Sequence, residues 1–576
     1  MSNNPYQHLT ISNFELSQQE SESLKDMKMN TFTYMLLKHC FKDESSTLSD
    51  FRKFLKQYSI TQASMHYLEM INENPDSEET MLHVCEELLD IFSNGSQQDW
   101  VVVVGDGKTY EHLTNIKRHY GESLRKLLIF PGDWHTLKTF QNVLMKVYFP
   151  AGLHEIAKAN GYNGATLHSL QTCSNFKRTH LFLLQVWEAF YRVLIESFVV
   201  EFNKQADMDN ILQMIKTSIA NNSDPNQLLE DVNLFTGQIA QEFFSFTEKQ
   251  GEIDSTWKFW KDFIFRNCFA YVTLFLAIRG CNWTLRIASL KEMTPLFAAF
   301  DRDVYERIIP NHLADLLLFP TEILSSLSAG GFTVHITGEP WRAVALDEAH
   351  EMCINKDLKT AITYPTEAYL QKTSLFMNYR IKLTKNFMNQ LFPEKDIVNI
   401  EPKVIDNSSE SVKREQDIVK MIKTITENDL LPCNLREDRG IVNIFNGMVA
   451  SREQQHDLLT FRAVGEEATE SYITHQLLRK SFTASTTIRR KKLLTMSAMS
   501  QTRKKKSNKE KENERMIKCL QRRLAWCNHS GTILDPGNEQ YSVFPRAICD
   551  DNGVPYKAPK SHWTDKLQES LITVSF

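Results

Sequence analysis

The sequence predicts a predominantly α-helical protein with one small α/β core of short parallel strands and a large all-helical insertion. The core is indicated by two apolar runs, 100–104 and 126–130, which are short, rich in Val, Leu and Ile, and bounded by turn residues, as buried strands are. The insertion is indicated by residues 180–318, where apolar and aromatic side chains recur three and four apart, as in packed helices.

The bulk composition restricts the classes of protein to which the chain can belong. A length of 576 residues predicts two or three folding units, and a formal net charge of -5 argues against a surface that coats nucleic acid as a whole. The ten cysteines are scattered singly, which predicts free thiols in a reducing compartment. Cys519, Cys527 and His529 have a spacing that matches no common zinc module. The polar N-terminus lacks a secretory signal, so an intracellular protein is expected.

The core elements follow one another closely along the chain. Helices are predicted at 27–41, 49–57 and 78–92, and a helix at 111–119 joins the two strands. Such a strand, helix, strand unit places its strands in parallel, so both carboxyl ends lie at one edge, where open α/β sheets bind ligands. A hairpin at 332–346 is predicted to precede a helix that begins near Asp347.

These elements divide the chain into seven segments with different roles. The predicted division is an N-terminal helical region (1–98), the α/β core (99–175), the helical insertion (176–330), a hairpin and helix (331–400), a further helical region (401–478), a basic linker expected to be disordered (479–516) and a C-terminal segment (517–576).

Two long apolar stretches are predicted to be core helices, not membrane spans. In 181–200 the charged residues Glu188, Arg192 and Glu196 recur at a spacing of four, which is typical of an amphipathic helix. The uninterrupted part of the second stretch, 268–278, is shorter than the roughly 18 to 20 residues that a span requires. No membrane partner is therefore expected.

Two Gly-Asp motifs stand at the ends of the predicted strands. Asp106 follows the first strand, and its segment is not a phosphate-binding loop because Val102 occupies the position where that loop needs a glycine. Asp133 follows the second strand, with His135 just beyond it. We expect Asp106 and Asp133 to emerge near each other, where they could hold Mg²⁺. The alternative is ordinary turn and cap chemistry, with Asp133 as the cap of the next helix.

A third acidic pattern lies on the helix after the hairpin. Asp347, Glu351 and Asn355 are spaced by four and therefore line one helix face. Oxygen ligands in this arrangement could complete a divalent-metal site for phosphoryl transfer. The alternative is an N-capped helix that faces solvent.

Four sequence blocks in this order resemble an uncharacterised family, carrying the domain of unknown function 6589, that recurs in transposon-derived proteins of animals and fungi. The blocks are Gly105-Asp106-Gly107, Phe130-Pro131-Gly132-Asp133-Trp134-His135, Asn282-Trp283 continuing to Tyr305, and Asp347 with Glu351 and Asn355; residues 541–560 resemble a further family segment. The family is similar in layout to RNase H-like transposases, in which a helical insertion separates two acids on the sheet from a glutamate on a late helix.

The resemblance implies an RNase H-like core with named acids. Asp106 and Glu351 would be the catalytic acids and metal ligands, with Asp133 and His135 as auxiliary ligands, and Mg²⁺ or Mn²⁺ would bind only if this acidic site is intact. The first acid of such a triad is missing, because no apolar strand ending in Asp precedes Trp100. Since two-metal catalysis uses carboxylates to hold both ions, the chain is expected to be an inactive relic without a cofactor.

Two basic clusters lie within the polar segment 479–516. They are Arg489, Arg490, Lys491 and Lys492, and then Arg503, Lys504, Lys505 and Lys506. Their separation by ten residues matches a bipartite nuclear-import signal and predicts a nuclear protein; the alternative is a solvated linker in a cytoplasmic one. Contact with DNA through this segment would tolerate any sequence and weaken steeply with salt.

Three functions remain open from the sequence. The favoured hypothesis is a nuclear, transposon-derived protein with a degenerate core that retains nucleic-acid or protein binding. The first alternative is an active metal-dependent nuclease or transposase. The second is a helical scaffold that binds unknown proteins.

Overall fold

The computed structural model describes most of the chain, with gaps. The described residues are 4–41, 77–93, 99–221, 225–300, 304–335, 341–352, 409–433, 435–479 and 492–497, with single positions between 63 and 74 and between 376 and 383. The predicted helix 49–57 and Asn355 lie outside these residues.

Fifteen helices surround the core in the first part of the described chain. They are α1 (Gln18–Cys40), α2 (Glu78–Phe92), α3 (Gly107–Tyr120), α4 (Asp133–Tyr148), α5 (Leu153–Ala159), α6 (Gly164–Gln171), α7 (Phe176–Glu201), α8 (Gln205–Ala220), α9 (Pro225–Ile253), α10 (Ser255–Asp262), α11 (Cys268–Arg279), α12 (Trp283–Ala299), α13 (Tyr305–Leu316), α14 (Thr321–Ser326) and α15 (Leu346–His350). After the gap come α16 (Ser409–Glu427) and α17 (Arg452–Tyr472).

The predicted strand, helix, strand unit is present. Strands β1 (Val101–Gly105) and β2 (Leu127–Pro131) pair in parallel, with Val101 opposite Leu127 and Gly105 opposite Pro131. The β-branched and aliphatic side chains of both strands pack against helices on either side, which is why the runs are apolar throughout. Within the described residues this sheet has two strands, so a predominantly helical fold with a short parallel pair is confirmed and a full RNase H-like sheet is not.

The predicted hairpin is also present, in a shorter form. Strands β3 (Thr333–Val334) and β4 (Val344–Ala345) pair antiparallel, two residues each, and α15 begins directly after β4. The hairpin therefore delivers Asp347, in the first turn of α15, to the carboxyl edge of the parallel pair.

Helices α7 to α13, which lie in the segment predicted as an insertion, contribute many side chains to the hydrophobic core. The aromatic side chains of this segment pack ring against ring, for example Trp260 on Phe190 and Tyr191 on Phe265, each pair with 5.1 Å between centroids. Trp257 and Trp260 are fully buried. Such contacts combine large buried area with favourable edge and offset geometry, so the helical block supplies much of the hydrophobic stabilisation.

The C-terminal helix α17 crosses α12 at very short range. A Cβ atom at Gly465 of α17 would lie 1.9 Å from the carbonyl oxygen of Pro295 in α12, so only glycine permits this approach. The crossing fixes α17 on the body of the protein.

Among the described residues, no single helix is both long and apolar enough to cross a membrane. One bent pair, Tyr305–Leu316 with Thr321–Gly331, passes the same test of length and composition. Most side chains of its first member are buried inside the protein.

Candidate functional site

The two Gly-Asp motifs meet at the carboxyl edge of the parallel pair. The Gly132 N–H donates to the Gly105 carbonyl at 2.9 Å, which continues the strand pairing by one residue. Asp106 and Asp133 therefore leave neighbouring strands, as the sequence predicts. Asp106 is exposed and caps α3, where its Oδ1 accepts the Thr109 N–H at 2.9 Å.

Asp133 is bound by a buried arginine. Arg286 donates from Nε to Asp133 Oδ2 at 2.7 Å and from Nη2 to Asp133 Oδ1 at 2.8 Å, with the arginine side chain 0% exposed and the aspartate 3%. This two-point geometry matches the planar guanidinium to the carboxylate. Burial raises the pKa of Asp133, and the positive charge of Arg286 opposes that rise.

The other faces of Arg286 are also occupied. Its Nη1 lies 3.2 Å from Nε2 of His312, and burial followed by the arginine charge lowers the pKa of His312 well below its usual value. The neutral imidazole can therefore accept a hydrogen bond from the guanidinium. The guanidinium carbon lies 4.4 Å from the Phe130 ring centroid and 5.1 Å from that of Trp283. Aromatic faces of this kind stabilise a desolvated cation.

The start of α12 places Arg286 at the sheet edge. Asn282 caps this helix by accepting the Leu285 N–H at 3.1 Å, which fixes the first turn. Arg286 lies four residues after the cap and one turn into the helix. The Asn282-Trp283 block thus meets the Phe130–His135 block in space.

The prediction that Asp133 caps α4 is wrong. Asp133 is the first residue of α4, the cap position is Gly132, and the Asp133 carboxylate turns to Arg286. Asp347 takes over the capping from a distant part of the chain: its Oδ1 accepts the Trp134 N–H at 3.1 Å and its Oδ2 accepts the His135 N–H at 2.9 Å. An anion here satisfies unpaired donors and complements the helix dipole.

His135 adds a third hydrogen bond to the same carboxylate. Its Nδ1 lies 3.0 Å from Oδ2 of Asp347, whose side chain is 8% exposed. Gly132 makes room for this arrangement, because a Cβ atom there would lie 2.3 Å from Asp347 Oδ2. Asp347 is therefore held closely against the N-terminus of α4.

Three aspartates act electrostatically on one buried tyrosine at this edge. Burial raises the pKa of Tyr305, and the negative charges of Asp347, Asp106 and Asp133 add to the rise. Tyr305 also lies against the start of α3, since a Cβ at Gly107 would approach its ring to 3.3 Å. The three aspartates thus lie close enough to Tyr305 to act on its hydroxyl group.

Two of the acids at this edge already have protein partners. Both oxygens of Asp133 are engaged by Arg286, and Asp347 is engaged by α4 and His135. Across the described residues, no three His, Cys, Asp or Glu side chains form a group that could hold a metal. Glu351 is half-buried and directly follows α15 with a helical backbone conformation. Its assignment with Asp106 as a catalytic acid stays a prediction.

The basic clusters lie almost wholly outside the described residues. Lys492 alone is described, and it is exposed. The site residues that sequence reasoning missed are Arg286, His312 and Tyr305. The sequence held two signals for them: Tyr305 ends one of the four family-like blocks, and Arg286 stands one turn after Asn282, which can cap a helix.

One of three comparisons with known proteins identifies the family to which the chain belongs. A search of curated proteins found no match, and neither did a search of solved structures. A scan of protein families matched residues 49–531 to a family described as Domain of unknown function (DUF8702). This description says nothing of a transposon origin and differs from the domain that the four sequence blocks resemble. The match covers most of the chain, which therefore belongs to this uncharacterised family.

Proposed function

We propose that this chain is a transposon-derived nuclear protein with a degenerate, catalytically inactive RNase H-like core, and that it binds nucleic acid through the basic segment 489–506. Kinship with the 6589 family is part of the proposal and rests on the four sequence blocks. The parallel strand pair and the aspartate at the end of each strand support it, and so does the late helix α15, which ends directly before Glu351, since this order is similar to that of such a core.

The observation that carries the proposal is the pairing of Asp133 with Arg286. Two-metal catalysis needs carboxylate oxygens that face the ions. Here the guanidinium of Arg286 neutralises Asp133 from inside the core, and the N-terminus of α4 engages Asp347 of α15. Acids used in this way stabilise the fold, so we assign the function to binding and not to phosphodiester chemistry.

The charge distribution supports nucleic acid as the ligand. The whole chain has a formal net charge of -5, yet eight Lys and Arg residues are concentrated between 489 and 506. A local basic patch on an otherwise acidic protein favours contact with phosphates by one segment. Such contact releases counterions and is largely independent of sequence.

Neutralising the second cluster tests this proposal. We expect replacement of Arg503, Lys504, Lys505 and Lys506 by Gln to weaken binding to a single-stranded or duplex oligonucleotide at least tenfold at low salt. Losing four phosphate contacts should also reduce the slope of log K against log salt by about 3. Fluorescence anisotropy between 50 and 200 mM salt, roughly the range in which such contacts are lost, measures both quantities.

A matched control removes the same charge elsewhere. Lys158, Lys177, Lys413 and Lys420 are exposed on the described surface, and their replacement by Gln should leave affinity and salt slope nearly unchanged. Equal losses of oligonucleotide affinity in both variants would indicate that the whole protein surface attracts nucleic acid non-specifically. Binding that neither variant changes, or that salt does not weaken, would contradict the proposal and favour the protein-binding scaffold.

A further inference from the structure

A short segment between the two basic clusters is docked on the folded body. Residues 492–497 lie against α17, although the sequence predicts a disordered linker across 479–516. The Leu494 N–H donates to Asp457 Oδ2 at 2.8 Å, and Gln454 Nε2 donates to the Thr495 carbonyl at 2.9 Å. Two side chains of one helix therefore bind neighbouring peptide groups of the segment.

Both of the recognising side chains belong to the interior. Gln454 is 3% exposed and Asp457 is 2% exposed. Gln454 also caps its own helix, since its Oε1 accepts the Ser451 N–H at 2.9 Å, so its amide is oriented by bonds at both ends. Buried polar groups are costly unless they are paired. Removing the segment would leave the Gln454 amide group without this acceptor, which favours the docked state.

Apolar side chains add to the docking. Leu493 is 7% exposed and Met496 is 2% exposed, and both join the main hydrophobic core. Burial of these two side chains removes apolar surface from water, which favours the docked state of the segment. Lys492 and Ser497, at the two ends of the described segment, are exposed.

We infer that the face of α17 formed by Gln454 and Asp457 is a peptide-docking site whose occupant is Leu493–Met496. Docking attaches the basic segment to the body, so that less of the segment has to be ordered when nucleic acid binds. This inference rests on the proposed function. Lys492 adjoins the docked residues directly, and Arg503 follows Ser497 by six residues, a reach of at most about 20 Å. Both basic clusters therefore lie close in sequence to the docked residues.

The physical consequence is a smaller entropy cost of binding. An undocked linker would have to be ordered along its whole length when phosphates bind, whereas docking has already fixed its middle. The number of phosphate contacts does not depend on docking. Release of the segment should therefore lower affinity while it leaves the salt slope unchanged.

Two variants with the same charge change test the inference. Met496→Asp places a carboxylate in the buried position and should release the segment, whereas Ser497→Asp adds the same charge at an exposed neighbour. We expect Met496→Asp to abolish hydrogen-exchange protection of the Leu494 amide and to weaken oligonucleotide binding about tenfold relative to Ser497→Asp. Exchange in α17 shows whether the body stays folded.

A second variant guards against general unfolding. Leu494→Pro removes the N–H that Asp457 accepts, whereas Leu494→Ala shortens the side chain and keeps that N–H; the proline variant should lose affinity and the alanine variant should not. An unprotected Leu494 amide in the wild type would overturn the docking site. Loss of docking with equal affinity would overturn its role in binding and leave the proposed function intact. A wild type without salt-sensitive binding would instead refute the proposed function, and the affinity part of this inference with it.

Discussion

Replacement of Arg286 by Ala is expected to destabilise the protein by about 3–5 kcal/mol, because it leaves the Asp133 carboxylate buried without a counter-charge. Asp133 is 3% exposed, and both of its oxygens accept from Arg286. The loss of packing on Phe130 and Trp283 adds to the cost. The shift of the urea unfolding midpoint at neutral pH measures the effect.

A double variant separates the charge from the packing. Asp133→Asn with Arg286→Met removes both charges and keeps similar volumes, so it should be clearly more stable than Arg286→Ala alone. If Arg286→Ala lies within about 1 kcal/mol of the wild type, the ion pair is not the buried, mutually dependent contact described above.

Replacement of Gly132 by Ala is expected to cost about 2–3 kcal/mol through displacement of Asp347. The backbone of Gly132 has φ -69 and ψ 116, which alanine adopts without strain, so the conformation itself costs little. The added Cβ would instead lie 2.3 Å from Asp347 Oδ2 and push it away from the Trp134 and His135 amides. Thermal or urea unfolding measures the loss.

A double-mutant cycle with Asp347→Ala identifies the cause. In that background the clash is gone, so Gly132→Ala should cost little more than Asp347→Ala alone. Gly237 provides the control, because a Cβ there meets nothing within 4 Å and its position is helical; Gly237→Ala should be neutral or stabilising. Full additivity of Gly132→Ala and Asp347→Ala would contradict the docking of Asp347.

Local sequence patterns were sufficient to predict the two strands and their pairing, but not which side chains meet at the edge of the sheet. The valine run of β1 and the apolar run of β2 predict strands because a short, continuous apolar run is typical of a strand that is covered on both faces. The parallel pairing follows from the helix between them, and this prediction is confirmed. A Gly-Asp pair after a strand can be a metal-binding acid or ordinary turn and cap chemistry, and the two uses look identical in sequence. The Asp133 carboxylate pairs with Arg286, which lies 153 positions away in the sequence. No pattern of neighbouring residues could therefore identify this partner.

The acid on the late helix shows the same limitation. A spacing of four places Asp347 and Glu351 on one face, but it does not say which of them meets the sheet. The hairpin delivers Asp347, because Gly132 leaves a space at the N-terminus of α4. The docked segment was missed for a different reason: Leu493 and Met496 are two apolar side chains in a strongly basic stretch, and average composition hides them.

The most direct test of the central claim, that the sheet-edge acids stabilise the fold and do not bind catalytic metal, is a calorimetric titration of the intact protein with Mn²⁺. The same titration is made with the Asp106→Ala and Glu351→Ala variants. Because Arg286 engages Asp133 and the end of α4 engages Asp347, we predict no saturable binding in the wild type. Saturable binding that both variants abolish would contradict this account and would support a working metal-dependent nuclease.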